Sequence, residues 1–267
     1  MTTFAFLQRL TPRRCVEWFI FGNLSFLALD IGLAHAQNGF REREEWIPVA
    51  FSLTAAVLLI PMAVGIRAQW LGYLECIVAA SSILVGVMGM VLHLRSAFFI
   101  ERTLRNLVYS APFVAPLAYV GVGLLLLLIR MEPAGSSALG SWIVILALGG
   151  FVGNFGLALL DHAANAFFHW TEWIPVCSSA FASTFLFIGL IRKDPRFARA
   201  TAAVLCVQMG VGMAGFGLHV SANVHRSGAT WLGRFIYGAP AFAPLLFVNL
   251  ALLGALGLWA DARPETR

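Results

Sequence analysis

The sequence predicts an all-α integral membrane protein with eight transmembrane helices, arranged as a tandem duplication of a four-helix unit. Two observations carry this prediction. Of the 267 residues, 60% are hydrophobic and only 12% are charged, whereas soluble domains contain about 25% charged residues. In addition, polar motifs of the first half of the chain recur at matching positions in the second half.

Long apolar runs separated by short polar connectors indicate a chain that crosses a bilayer several times. The end of the first run resembles a signal-peptidase site, but Asp30 interrupts the apolar region, so we interpret the run as a retained helix. Each run has about the 20 residues that a helix needs to cross the hydrocarbon core. The predicted spans are 16–36, 47–66, 71–94, 107–130, 141–162, 173–192, 199–221 and 235–260.

The duplication is visible in three motifs. A His near the end of the first span is followed by Glu-Trp-Ile-Pro, and the same arrangement recurs 127 positions later. A Gly-x-x-Gly-x-x-Leu-His sequence ends the third and the seventh spans, and a Tyr-x-Ala-Pro-x-x-Ala-Pro sequence opens the fourth and the eighth. The matched pairs are His35 with His162, Glu45 with Glu172, His93 with His219 and Tyr109 with Tyr237.

Four spans per unit is an even number, so both copies have the same orientation, as parallel repeats about an axis along the membrane normal. We predict a first repeat at residues 1–130, a linker rich in helix-breaking residues at 131–140, and a second repeat at 141–267.

The charge distribution predicts the orientation. Eleven of the 18 Lys and Arg residues fall on the side that holds both chain ends, which favours cytoplasmic termini in a bacterial inner membrane. The expected partners are therefore the lipid bilayer and other membrane subunits. Topology and lipid contact explain the positive charge, so nucleic-acid binding is not expected. The sequence has no phosphate-binding or dinucleotide-binding motif, so a nucleotide is not expected either.

All six His residues then fall on the non-cytoplasmic face. Imidazole binds zinc, copper and iron, and two His with one carboxylate leave coordination positions open. The sequence therefore predicts a transition metal ion, whether copper, iron or zinc, near this face. The candidate metal ligands are His35, Glu45, His93, His162, His169, Glu172, His219 and His225.

Haem b is the alternative cofactor, because His35 facing His93, or His162 facing His219, would supply two axial ligands. Polar residues on the connectors favour a bare metal ion, whereas the glycine steps and the aromatic content favour a planar cofactor. Further polar residues are candidates for orienting the imidazoles or for relaying protons. They are Asp30, Asn38, Asp161, Asn165 and Asn223.

Simpler interpretations stand beside this one. A His at the end of a membrane helix is often satisfied by water or lipid headgroups, and a Glu before Trp-Ile-Pro suits the N-terminal end of a helix dipole. The leading hypothesis is a membrane protein that performs redox or metal-handling chemistry, and, if it is an enzyme, an oxidoreductase. The alternatives are a small-solute or proton-coupled transporter and an accessory subunit of a larger membrane complex.

Overall fold

A computed structural model describes residues 10–133, 136–227 and 230–262. Over these residues the fold is all-helical, without β-strands. The helices of the first half are α1 (Pro12–Ala36), α2 (Trp46–Leu58), α3 (Ile60–Val64), α4 (Gln69–Arg95), α5 (Leu104–Val108) and α6 (Leu117–Met131). Those of the second half are α7 (Ser137–Ala164), α8 (Trp173–Ile191), α9 (Pro195–His225), α10 (Trp231–Ile236) and α11 (Leu245–Ala262).

Six segments of the described chain are long and apolar enough to cross a membrane, and they contain α1, α4, α7, α8, α9 and α11. Many large apolar side chains on the outside of the bundle are exposed. Lipid tails solvate such side chains as well as a protein core does. The prediction of a multi-pass, all-helical membrane protein is consistent with both findings.

The other two predicted spans differ in detail from the structure. The span at 47–66 is divided into α2 and α3 around Leu59. Pro61, in the first turn of α3, explains the break, because proline has no backbone N–H and its ring clashes with the carbonyl four residues earlier. The span at 107–130 begins inside the short helix α5, and the longer helix α6 begins only after Pro116.

The predicted start of the last span is also wrong. The sequence places it at residue 235, but α11 begins at Leu245, after Pro240 and Pro244. As in the first half, the two prolines of the Ala-Pro-x-x-Ala-Pro motif interrupt the helix, for the same steric reason. A proline at the start of a helix has the opposite effect and favours the helix. Pro195 lies in the first turn of α9, where its missing N–H is not needed.

Glycines allow the long helices to approach the starts of their partners closely. A Cβ atom on Gly86 of α4 would lie 2.8 Å from the carbonyl oxygen of Pro116, at the start of α6. Gly212 of α9 has the same relation to Pro244, also at 2.8 Å. Because no larger residue fits, these contacts hold the C-terminal part of α4 and of α9 against the proline-rich segment that follows it.

The two halves meet along α1 with α11 and along α6 with α7. Between α1 and α11, Asn23 and Asn249 exchange side-chain hydrogen bonds, with Asn23 Nδ2 donating to Asn249 Oδ1 at 3.2 Å. Around this contact the core is formed by buried apolar side chains of both halves, including Leu24, Leu126, Phe151 and Ala251.

Candidate functional site

The connectors that follow His35 and His162 have the same unusual backbone conformation. Gly39 and Phe40 both have positive φ angles, of 66° and 49°. Ala166 and Phe167 occupy the corresponding positions in the second half, with φ of 55° and 48°. A residue with a bulky side chain is uncommon in this left-handed region, and such conformations concentrate at functional sites.

The left-handed turn places each Phe between a Trp and a His. The ring of Phe40 stacks on Trp46 with centroids 4.0 Å apart, and Phe167 stacks on Trp173 at 3.9 Å. On the other side, the rings of Phe40 and His35 are 6.1 Å apart. The matching pair in the second half, Phe167 and His162, is 6.2 Å apart. The turn therefore covers one side of each imidazole with an aromatic ring.

A short 3-10 helix after each turn brings a carboxylate back to the His. In the first half this helix is Arg43–Glu45, and Glu45 Oε2 lies 3.9 Å from His35 Nδ1. In the second half it is Trp170–Glu172, and Glu172 Oε2 lies 3.5 Å from His162 Nδ1.

Both of these Oε2 atoms are buried, and neither accepts a hydrogen bond within the described part of the chain. The other oxygen of Glu172, Oε1, accepts the backbone N–H of His169 at 3.3 Å. The imidazole therefore faces a carboxylate oxygen that is shielded from solvent, where an electrostatic interaction is stronger than in water.

The second His of each half is held by a backbone carbonyl. His93 Nδ1 lies 2.9 Å from the carbonyl oxygen of Pro112, and His219 Nδ1 lies 2.8 Å from that of Pro240. A carbonyl oxygen can only accept a hydrogen bond, so Nδ1 is the donor. In a neutral imidazole this leaves the lone pair on Nε2 free for a ligand.

The two His of the first half are neighbours. The ring centroids of His35 and His93 are 6.1 Å apart, with the ring planes inclined by 68°. The structure thus brings together His35, Glu45 and His93 in the first half, and His162 with Glu172 in the second.

A metal-binding His commonly donates its second ring N–H to a carboxylate or a backbone carbonyl, which fixes the tautomer and the orientation of the ring. His93 and His219 make such a hydrogen bond to a carbonyl, whereas His35 and His162 lie beside a carboxylate oxygen at 3.9 and 3.5 Å without a hydrogen bond to it. However, no group of three or more His, Cys, Asp or Glu residues placed to hold a metal ion occurs among the described residues. The arrangement therefore offers two neighbouring imidazole ligands in the first half, with the Glu beside an imidazole.

Two other predicted ligands lie elsewhere. His169 is exposed at the start of the 3-10 helix, beside Phe168. His225 is exposed at the end of α9, and its Nδ1 contacts the carbonyl oxygen of Ser221 at 2.7 Å, one turn earlier in the same helix.

The residues predicted to orient the imidazoles have other contacts. Asn165 donates to the carbonyl oxygen of Asp161 at 3.4 Å, across the end of α7. Asn223 is buried and exchanges hydrogen bonds with the backbone of Ala239, at 2.7 and 2.8 Å. Asn38 is exposed, and Asp30 is partly buried inside α1.

Sequence reasoning did not identify the groups that face the second His of each pair. Pro112 and Pro240 belong to the repeated Ala-Pro-x-x-Ala-Pro motif, which indicated only a helix start or a bend. Pro116 and Pro244, four residues later, have no N–H to donate to these two carbonyl groups, so each can accept a bond from a His beside its bond from Ala115 or Ala243. The repetition of the motif next to a repeated His was the available signal.

No family model matches this chain, and comparisons with curated proteins and with solved structures give no match either.

Proposed function

We propose that the protein is a duplicated, eight-span membrane protein that binds a transition metal ion or haem through a pair of His residues, on the face opposite the cytoplasm, for redox or metal-handling chemistry. One observation carries the proposal: Nδ1 of His93 and of His219 donates to a backbone carbonyl, which leaves Nε2 free for a ligand, while His35 and His162 each face a buried carboxylate oxygen at 3.9 and 3.5 Å.

The duplication is supported by the agreement of local geometry at matching positions. Four features occur once in each half: the left-handed Phe, the Phe–Trp stack, the His–Glu pair and the His–carbonyl contact. Eight spans in a bacterial inner membrane, with both termini cytoplasmic, place all of these groups on one face. The two additional spans would be formed by α2 with α3, and by α6.

The distance between the two His rings supports the binding of one metal ion by both imidazoles. Two imidazoles that bind one metal at about 2.0–2.1 Å through Nε2 have ring centres roughly 5 to 6.5 Å apart, and the larger values belong to a nearly linear arrangement. The 6.1 Å between His35 and His93 lies in this range. Two opposed imidazoles suit haem iron or a bare ion such as copper, iron or zinc.

In this proposal Glu45 and Glu172 orient the imidazoles, and they are not metal ligands as the sequence alone suggested. A carboxylate beside Nδ1 makes Nε2 a stronger donor to a metal. The distance is shorter in the second half, 3.5 Å against 3.9 Å, so Glu172 is the better placed of the two carboxylates for this role.

The experiment is elemental analysis and absorption spectroscopy of gently solubilised protein. We expect stoichiometric copper, iron or zinc, or the Soret band of haem, and loss of about half of the bound cofactor in His219→Ala if both halves bind. His225→Ala is the matched control, because this His is exposed and contacts its own helix. A folded preparation with neither metal nor haem would overturn the proposal.

The role of the carboxylate has its own test. Glu172→Gln should weaken metal or haem binding by about 10- to 100-fold, the usual effect of removing a group that orients a ligand. Glu44→Gln, an exposed residue of the other connector, should leave binding unchanged. Equal affinities of the two variants would contradict the orienting role.

A small-solute or proton-coupled transporter is the second candidate, and Asp30 supports it. This carboxylate lies inside α1, where a charge is costly unless it is paired or protonated, and such residues often mark ion pathways. Proton-coupled flux in liposomes that Asp30→Asn abolishes would favour transport, whereas unchanged flux in that variant would remove Asp30 from the pathway.

A further inference from the structure

A second polar cluster lies at the opposite ends of α1 and α4 from the His pairs. Two of its carboxylates are almost fully buried: Glu17 is 1% exposed and Glu75 is 4% exposed. An acid in an apolar helix bundle is costly unless it has a partner. Glu17 accepts hydrogen bonds from Arg14 at 2.9 Å and from Arg67 at 2.7 and 2.8 Å. Glu75 lies 3.3 Å from Arg130.

Two of the arginines in this cluster also bind the ends of helices. Arg14 donates to the carbonyl oxygens of Met62 and Ala63, at the end of α3. Arg13 donates to the carbonyl oxygens of Ile129 and Glu132, at the end of α6. Cations stabilise the C-terminal ends of helices, where carbonyl groups lack partners. A structural role therefore accounts for Arg13 and Arg14.

Arg67 and Arg130 pair with the two buried acids, but their side chains are also 50% and 29% exposed. Both line an open cavity of about 390 Å³, together with Gln69, Leu71 and Glu75. Both hydrogen bonds that Arg67 makes within the described chain come from Nη2, so its Nε and Nη1 groups are available to a ligand. The bonds to Glu17 raise the pKa of Arg67 above its usual value, so the guanidinium is always charged.

The cavity also contains an acceptor. Glu75 lines the cavity, but its Oε2 is buried against Arg130 Nη1 at 3.3 Å, so a ligand in the cavity meets this carboxylate through Oε1. A ligand that suits the cavity therefore combines an anionic group for the two arginines with a hydroxyl or ammonium donor for Glu75. With four arginines against two carboxylates, the cluster carries two excess positive charges before a ligand binds.

The second half lacks this arrangement. In the register that matches His35 with His162 and His93 with His219, Val144 stands at the position of Glu17 and Thr201 at that of Glu75. Since α7 and α9 form long helices without these acids, the four-helix unit does not need the cluster in order to fold.

We propose that this cavity binds the headgroup of an anionic phospholipid, with the phosphate at Arg67 and Arg130 and a headgroup hydroxyl at Glu75. Guanidinium groups bind phosphate oxygens through charge-assisted hydrogen bonds, and basic pockets between membrane helices bind lipid headgroups. Phosphatidylglycerol has both the net charge and the hydroxyl donors that the cavity requires. Phosphatidylcholine has neither.

The experiment is native mass spectrometry of the delipidated full chain, titrated with phosphatidylglycerol, with phosphatidylcholine and with inorganic phosphate. We expect phosphatidylglycerol to bind, and Arg67→Gln to weaken its binding about tenfold, since one charge-assisted hydrogen bond is lost. Arg196→Gln is the matched control, because this exposed arginine lies in the first turn of α9, which the repeat places at the same end of the bundle.

A second variant tests the cavity without touching an ion pair. Gln69→Glu adds a negative charge at its wall, in the first turn of α4, where an acid favours the helix. It should weaken phosphatidylglycerol binding while the protein stays folded. Binding of inorganic phosphate with the same dependence on Arg67 would assign the cavity to soluble phosphate groups. Equal effects of Arg67→Gln and Arg196→Gln, or equal binding of the two lipids, would overturn the proposal.

Discussion

Replacing Gly39 by Ala should destabilise the protein by about 1 kcal/mol, through the backbone alone. Gly39 has a φ of +66°, and an L-residue with a side chain pays about 1–2 kcal/mol for this conformation. A smaller opposing effect, from the lower entropy of the unfolded chain, amounts to about 0.4–1 kcal/mol. No atom lies within 4 Å of the added Cβ, so packing contributes nothing.

The second half contains the reciprocal test. Ala166 stands at the position of Gly39 and has a φ of +55°, so Ala166→Gly should stabilise the protein by a similar amount. For a chain of this size, about 1 kcal/mol corresponds to a shift of about 2–4 °C in the unfolding midpoint. Thermal unfolding in detergent, followed by tryptophan fluorescence, measures both variants against the parent protein.

Gly32→Ala is the control for this pair. Gly32 lies inside α1, and a Cβ atom there also has no neighbour within 4 Å. In a helix interior the change from Gly to Ala is favourable by about 0.5–1 kcal/mol, so its sign should be opposite to that of Gly39→Ala. If Gly39→Ala raised the midpoint as Gly32→Ala does, the left-handed turn described above would be wrong.

Two further substitutions test close contacts between helices of the first half. Gly86→Ala should lower stability by about 1–3 kcal/mol, because the new Cβ would lie 2.8 Å from the carbonyl oxygen of Pro116; an unchanged unfolding midpoint would contradict this close approach. Tyr119→Phe should cost about 1–3 kcal/mol, because the Tyr119 hydroxyl donates to the carbonyl oxygen of Pro48 at 2.8 Å in a buried position. Tyr109→Phe, at an exposed tyrosine, should have little effect on the midpoint, and a similar loss in both tyrosine variants would refute the assignment to this hydrogen bond.

The sequence predicted the helical class and most of the long helices, because apolar runs of this length have few alternatives in a membrane. Its errors lie where proline competes with the apolar pattern. The starts of α6 and α11 were placed about ten residues too early, since hydropathy continues through the Ala-Pro-x-x-Ala-Pro segments although the helix does not.

For the site, the sequence predicted that His35, Glu45 and His93 meet, but not how, and two further predicted ligands, His169 and His225, lie elsewhere. The proximity of His35, Glu45 and His93 follows from the order of the helices. The left-handed conformation of Phe40, by contrast, is uncommon for such a residue and has no signature in a single sequence. The contact between His93 and Pro112 could not be predicted either, because a backbone carbonyl accepts a hydrogen bond whatever its side chain is.

The reciprocal amide contact between Asn23 and Asn249 sets the register of α1 against α11. A slip of one residue would turn either side chain by about 100° around its helix and break both of these hydrogen bonds, leaving Asn23 only its bond to the carbonyl oxygen of Phe19 at 2.8 Å. Since the two helices belong to different halves of the chain, the contact is a polar link between the halves. A substitution at Asn23 would therefore weaken the interface between the halves without contacting any His.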